Sequence, residues 1–242
     1  MNCDILAIGA HPDDIELACS GTLIKEINNG KKVVLLDLTL GELGSRGNSS
    51  IRTQEANKSA HIMGASERVQ LNLSDGFFEI NETSLIQVIK QIRHFKPKTI
   101  LANATSDRHP DHGRASDLVR RAAFLSGLVR IETEHHGSIQ PAHRPDSVFF
   151  YLQDKNIGPD FVVDITDTFE TKIECIKAFD SQFYKPNSSE PETPISSKSF
   201  WDFIEARARD YGRSIGKTFG EGFICEKGLV LIRLVILASI LD

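Results

Sequence analysis

The stretch Ile5-Leu6-Ala7-Ile8-Gly9-Ala10-His11-Pro12-Asp13-Asp14 joins an apolar run to a cluster of imidazole and carboxylate. A second junction of the same kind lies about a hundred residues on. There Thr99-Ile100-Leu101-Ala102 is followed, seven residues later, by His109-Pro110-Asp111-His112. Short aliphatic runs ending in ionisable clusters are read as strands of a parallel sheet, whose carboxyl ends border the ligand crevice.

Working outward, further strands are predicted at 32–40, 68–73, 147–152 and 160–164, with the first two at 4–10 and 98–103. Lys32 to Leu40 is almost continuously apolar, as a strand buried on both faces requires. Helical patterns fall between them at 17–29, 51–63, 83–95 and 113–127. In the third, Leu85, Ile86, Ile89 and Ile92 recur at helical spacing, opposite Lys90 and Arg93. Another helix is expected to about Ala178, capped by Thr166 or Asp167, and one more at 199–215. The alternation gives an α/β fold: three layers, Rossmann-like, a mostly parallel sheet with helices on both faces. No repeat or linker divides the chain, so residues 1–242 read as a single domain. Ser20-Gly21-Thr22 reads as small residues that let a helix approach the sheet, and no G-x-G-x-x-G follows the first strand.

Bulk properties narrow the function classes. A net charge of -5 over 242 residues offers no electrostatic footprint for nucleic acid. Four scattered cysteines (Cys3, Cys19, Cys175 and Cys225) form no C-x-x-C pair and read as free thiols of a reducing compartment. The aliphatic stretch Leu229 to Leu241 carries Arg233 and falls short of the roughly 20 apolar residues of a membrane span. It reads as a buried strand or helix, or as a subunit contact. Residues 184–198 form a polar, proline-rich loop long enough for a lid or an oligomer arm.

The chemistry rests on the two clusters. Either one also reads as a helix cap and turn. Two of them at matching strand ends supply the three protein ligands of a catalytic zinc site, with carboxylate and imidazole to spare. Such an ion brings the pKa of bound water near 7, and a free carboxylate beside it serves as general base. His61, His94, His135, His136 and His143 lack acidic partners at ligand spacing and read as solvated or core residues.

These motifs resemble the PIG-L/LmbE-like zinc N-deacetylases. The likeness extends through Gly41-Glu42-Leu43-Gly44-Ser45-Arg46-Gly47, Arg52 and Glu55-Ala56. Asp13-Asp14-Ile15-Glu16, Ser181-Gln182-Phe183-Tyr184, Glu205-Ala206-Arg207-Ala208-Arg209 and Gly220-Glu221-Gly222-Phe223 are similar to the bacillithiol-pathway branch, which deacetylates N-acetylglucosaminyl-malate in the cytoplasm. The resemblance implies metal on His11, Asp14 and His112, Asp13 as general base and His109 as acid and electrophile. It implies Asp111 as a carboxylate that orients an imidazole, and Arg52 on the sugar hydroxyls. Zn2+ is the implied ion, with Fe2+, Co2+ or Mn2+ also compatible with a His2Asp set. The resemblance implies a small-molecule glycoside as substrate and a homo-oligomer such as a trimer or hexamer, and no nucleic-acid or membrane partner is expected. Arg108, beside the second cluster, suits the carboxylates of a malate aglycone. Ser45, Arg46 and Asn48 are further candidates for the pocket wall, with Glu221 and Arg213 behind them. Two alternatives stand: deacetylation of another N-acetylglucosaminide, such as a chitooligosaccharide or a natural-product sugar, and a non-catalytic metal- or sugar-binding protein on the same scaffold.

Overall fold

A computed structural model describes residues 2–155, 157–183 and 190–226 of the chain. In chain order the first half runs β1 (Ile5–Gly9), α1 (Asp14–Asn28), β2 (Val33–Asp37), α2 (Ser49–Met63), β3 (Glu67–Gln70), α3 (Glu82–Phe95), β4 (Thr99–Asn103) and α4 (Pro110–Leu125). A small hairpin, β5 (Glu134–His135) and β6 (Ser138–Ile139), follows. The second half holds β7 (Ser147–Tyr151), β8 (Phe161–Asp164), α5 (Phe169–Lys177), α6 (Lys198–Ser214) and β9 (Gly220–Cys225).

The main sheet has seven strands in the order β3-β2-β1-β4-β7-β9-β8. The first five pair in parallel; β9 pairs antiparallel with both β7 and β8. This is the expected three-layer α/β arrangement. Alternate residues of the strands feed two cores. Leu6, Ile8, Val34, Leu36 and Ile100 meet Val88 and Ile92 of α3 and Leu118 and Val119 of α4. Ala7, Val33, Leu35, Leu101 and Tyr151 meet Ile15, Leu23, Ala60 and Cys175 from α1, α2 and α5 on the other face. All five residues of β2 are buried, as its unbroken apolar run requires.

Three local expectations are corrected. Helix α1 starts at Asp14 and α4 at Pro110, each inside its cluster and three residues before the expected starts at 17 and 113. The first turn of α4 is polar and carries no hydrophobic period, so periodicity places its start late, whereas in α1 the buried Ile15 already belongs to the apolar face. Thr166 to Thr168 form a 3-10 turn, and α5 begins at Phe169 with no side-chain cap. Asp164 binds the turn instead, accepting from the Thr166 amide and hydroxyl. Strand β9 was not expected, because the glycines of Gly220-Glu221-Gly222 dilute the strand pattern. Residues 184–189 of the expected lid and the whole of 229–241 lie outside the described residues. Among the described residues no helix is long and apolar enough to cross a membrane.

The middle of α1 is held from outside the helix. Glu221 of β9 accepts the Gly21 and Thr22 amides at 3.0 and 2.7 Å and the Thr22 hydroxyl at 2.6 Å. Lys172 of α5 pairs with Glu221 at 2.7 Å and donates to the Glu16 and Leu17 carbonyls. Arg207 of α6 also donates to the Leu17 carbonyl. Gly21 contributes by lacking a side chain: a Cβ there would come within 2.9 Å of Ile165. It therefore lets α1 approach the turn after β8, while Glu221 supplies the tie to the sheet.

Lys172 and Glu221 are both buried, so removing one charge strands the other in a low-dielectric interior. Glu221→Gln and Lys172→Met are each expected to cost about 3–5 kcal/mol. Combined, they should cost clearly less than the sum, as measured by urea unfolding of the two single variants and the double variant. Additive losses would show that the pair does not act as a unit.

Candidate active site

Strands β1 and β4 lie side by side, Ile5 against Thr99 and Ala7 against Leu101, so their carboxyl ends emerge together. The chain runs from β1 outward to β2 and β3, and from β4 outward to β7 on the other side. A crevice opens where the direction of winding changes. The loop after β1 carries the first cluster into it, and the start of α4 carries the second.

Asp14 is the hub. Its Oδ2 accepts from the His11 amide and from Asn103 Nδ2, both at 3.0 Å. Its Oδ1 accepts from Gln153 Nε2 at 2.8 Å and lies 3.1 Å from His112 Nε2. His11 Nδ1 is 3.5 Å from Oδ2. Burial disfavours charge on Asp14, but His112 and His11 hold its pKa well below the usual carboxylate range. Burial likewise opposes a proton on His112, yet Asp14 and Asp107 raise its pKa to about 9.

Each imidazole also has a carboxylate behind it. His112 Nδ1 is 2.7 Å from Asp107 Oδ2. His11 Nε2 lies 3.0 Å from Asp75 and 3.4 Å from Asp111. Asp111, expected to orient an imidazole, is also engaged by the Gly76 amide at 2.8 Å and by Arg114 at 2.6 Å.

Asp13 sits before the first turn of α1 with φ 114°, a left-handed backbone that a residue with a Cβ adopts only under strain. Arg52 holds it there, donating to Asp13 Oδ2 at 3.1 Å, to the Pro12 carbonyl at 2.5 Å and to the Gly41 carbonyl at 3.1 Å. Gly41, at φ 65°, makes room: a Cβ would stand 2.0 Å from Arg52 Nη1. Burial pushes the Asp13 carboxyl up to about 7 against the pull of Arg52. His109 precedes α4, and its Nδ1 accepts the Asp111 amide at 3.2 Å. That bond leaves the ring proton on Nε2 (an amide can only donate). Burial, then the neighbouring His11 and His112, lower the His109 pKa.

These groups border one cavity of about 250 Å³. His11, Asp13, Asp14, Arg52, Arg108, His109 and His112 line it, while Asp111 lies behind the wall. Arg108 is half exposed, with its guanidinium paired to Asp154. Ser45, Arg46 and Asn48 do not line the cavity: Arg46 donates to the Phe183 carbonyl and Asn48 caps α2. Leu43 and Gly44 line it instead, and so does Ile195 from the described end of the 184–198 loop. Glu221 belongs to the α1 clamp, and Arg213 lies exposed in the last turn of α6. Sequence reasoning missed Asp75, Asn103, Asp107 and Gln153. All four stand at or just beyond the carboxyl ends of parallel strands, and that position is the signal that could have found them.

The donors suit a divalent ion. Ligand atoms of His11, His109 and His112 all lie within 4.8 Å of one another, as do those of His11, Asp75 and Asp111. The expected set His11, Asp14 and His112 is not one of these groups: His11 Nδ1 lies 3.5 Å from Asp14 Oδ2 and His112 Nε2 lies 3.1 Å from the other oxygen, Oδ1. Ligands about 2.0–2.1 Å from a tetrahedral ion stand roughly 3.4 Å apart. Buried His11 Nε2 makes no aligned hydrogen bond. Imidazole nitrogen and carboxylate oxygen together favour zinc or another first-row divalent ion.

The model of the PIG-L family, described as GlcNAc-PI de-N-acetylase, matches residues 6–123. A diacetylchitobiose deacetylase of Thermococcus kodakarensis is 26% identical over 238 residues, 94% of this chain and 84% of that protein. A crystal structure of a conserved Thermus thermophilus protein superposes with a TM-score of 0.84 at 28% identity, covering 96% of this chain and 98% of that one. The N,N'-diacetylchitobiose deacetylase of Pyrococcus horikoshii gives a TM-score of 0.75 at 25% identity, covering 91% and 82%. A probable N-acetyl-alpha-D-glucosaminyl L-malate deacetylase of Bacillus anthracis is more distant, 22% identical over 62% of this chain and 76% of that protein. Together these matches make the chain similar to PIG-L-type deacetylases, over its first half to the family model and over most of its length to single relatives.

The strained backbone at Asp13 gives a direct check. Glycine tolerates φ 114° and alanine does not, at a cost of order 1–3 kcal/mol. Asp13→Gly is therefore expected to be more stable than Asp13→Ala by about 1–2 kcal/mol in chemical denaturation. Equal stabilities would remove the claim of strain.

Proposed function

We propose that this chain is a metal-dependent hydrolase that removes the acetyl group from an N-acetylglucosamine moiety, with His11, Asp14 and His112 holding the ion. The observation that carries the reading is that Asp13 and His109 open onto the same small cavity as those three donors. A mere binder has no use for a free acid and base there. A bound zinc-type ion would act as a Lewis acid on the amide carbonyl and bring water toward ionisation near neutral pH.

The protein groups divide the rest of the work. Asp13, held by Arg52, takes the proton of the attacking water. His109 Nε2–H donates a hydrogen bond to the carbonyl oxygen as charge develops there, and the proton taken up by Asp13 passes to the departing amine. The Asp111 amide keeps His109 in the tautomer that this requires. Arg52 binds Asp13 and two carbonyls and lines the cavity, where its proposed contact with sugar hydroxyls would be made.

For the aglycone, a second N-acetylglucosamine unit, as in diacetylchitobiose, is the reading favoured by the similarity to two diacetylchitobiose deacetylases. Malate is the second reading, and one observation keeps it: Arg108 at the cavity rim. Its engagement by Asp154 weighs against it, because a bound carboxylate would have to displace that partner.

An acetate-release assay on diacetylchitobiose, N-acetylglucosaminyl-malate and free N-acetylglucosamine, with metal analysis of the same sample, tests both layers. Release from an N-acetylglucosaminide should stop on chelation and return with zinc. Asp13→Ala and His109→Ala should each lower kcat by about 10²–10⁴ while zinc content stays. No acetate from any of the three would overturn the enzyme. Arg108→Ala should leave KM for diacetylchitobiose unchanged; a rise confined to the malyl glycoside would reverse the order of the two substrates.

A further inference from the structure

We infer that Asp107 is the positioning residue of His112. It would fix the ring so that Nε2 presents a lone pair to the ion. The inference rests on the proposed metal site and goes beyond it, because sequence and resemblance give this task to Asp111 and assign nothing to Asp107.

The two oxygens of Asp107 have different partners. Oδ1 accepts the backbone amides of Arg108 and Lys155, each at 2.8 Å. Those bonds lock the carboxylate to two loops, one after β4 and one after β7. Oδ2 is left for His112 Nδ1 at 2.7 Å. The Asp107 carboxylate is fully buried and the His112 side chain nearly so, so water does not compete for the bond. With Oδ1 accepting two backbone amides and Oδ2 facing the ring at 2.7 Å, the carboxylate is the acceptor of this arrangement and Nδ1 its donor. The opposite nitrogen, Nε2, is then the atom turned toward Asp14 Oδ1 at 3.1 Å.

Among the described carboxylates near the two imidazoles, Asp107 alone makes an aligned bond. Asp75 and Asp111 approach His11 Nε2 at 3.0 and 3.4 Å, yet that nitrogen has no hydrogen bond of acceptable geometry. Carboxylates that take the outer N–H of a ligating histidine typically change metal affinity 10- to 100-fold when removed. By this geometry the larger share falls on Asp107.

Asp107→Asn isolates the effect. Its Oδ1 still accepts the two amides, while its Nδ2–H2 turns a donor toward His112 Nδ1. The ring proton must then move to Nε2, the atom that should bind the ion. Zinc alone is the probe, titrated into metal-free protein against a chromophoric chelator. Zinc affinity should fall about 10- to 100-fold in the variant, with the melting temperature of the metal-free protein close to wild type. Nitrogen-15 NMR of the zinc-loaded wild type should show His112 protonated at Nδ1 and ligated through Nε2. Wild type that binds zinc no better than Asp107→Asn overturns the role of Asp107 and leaves the metal site standing. Ligation through Nδ1 overturns it as well. Wild type that takes up no zinc overturns the metal site and this inference together. Should Asp107→Asn fail to fold, the wild-type spectrum decides by itself.

Discussion

A buried carboxylate must be surrounded by donors, and Asp14 meets that demand from three separate parts of the chain. The turn after β1 gives the His11 amide, the end of β4 gives Asn103 and the stretch after β7 gives Gln153, while α4 brings His112 Nε2 to 3.1 Å. These segments lie up to 139 residues from Asp14. They converge because β1, β4 and β7 run in parallel at adjacent positions in the sheet. Withdrawing any donor would leave charge uncompensated in a site nearly closed to water. The sheet order and the site are therefore two consequences of one constraint.

The same logic explains why so much buried charge lies beneath the cavity. Glu16, two residues after Asp14, meets Arg68 at 2.6 Å, and Arg68 meets Asp37 at 2.8 Å. One turn further along α1, Lys172 and Glu221 hold its midpoint. Hydrophobic packing is non-directional and would let α1 slide or roll. Hydrogen-bonded ion pairs fix its azimuth, and with it the direction of Asp13 and Asp14. The strained backbone of Asp13 persists for that reason: Arg52 and the fixed helix determine it from both sides.

Most of the fold was legible in the sequence. The aliphatic strand at 32–40, the helical spacing of Leu85, Ile89 and Ile92, and the two clusters placed after strands all survive in the structure. Both clusters border the cavity as their position implied. Strand β9 was missed because two glycines hide its pattern, and its insertion between β7 and β8 depends on pairing with strands far away in sequence. The helix start at Pro110 was missed because a polar first turn carries no hydrophobic period.

Residue chemistry and periodicity are local, so the sequence by itself determined the α/β class, the two clusters and the kind of ion their donors would suit. The partner of each imidazole is not local. Asp107 on His112, Asp75 and Asp111 near His11, and Gln153 on Asp14 were decided only by the tertiary structure. A hydrogen bond holds over about 3 Å and a limited range of angles. Which carboxylate meets which ring is settled by loop geometry at the strand ends, a quantity that no spacing along the chain encodes.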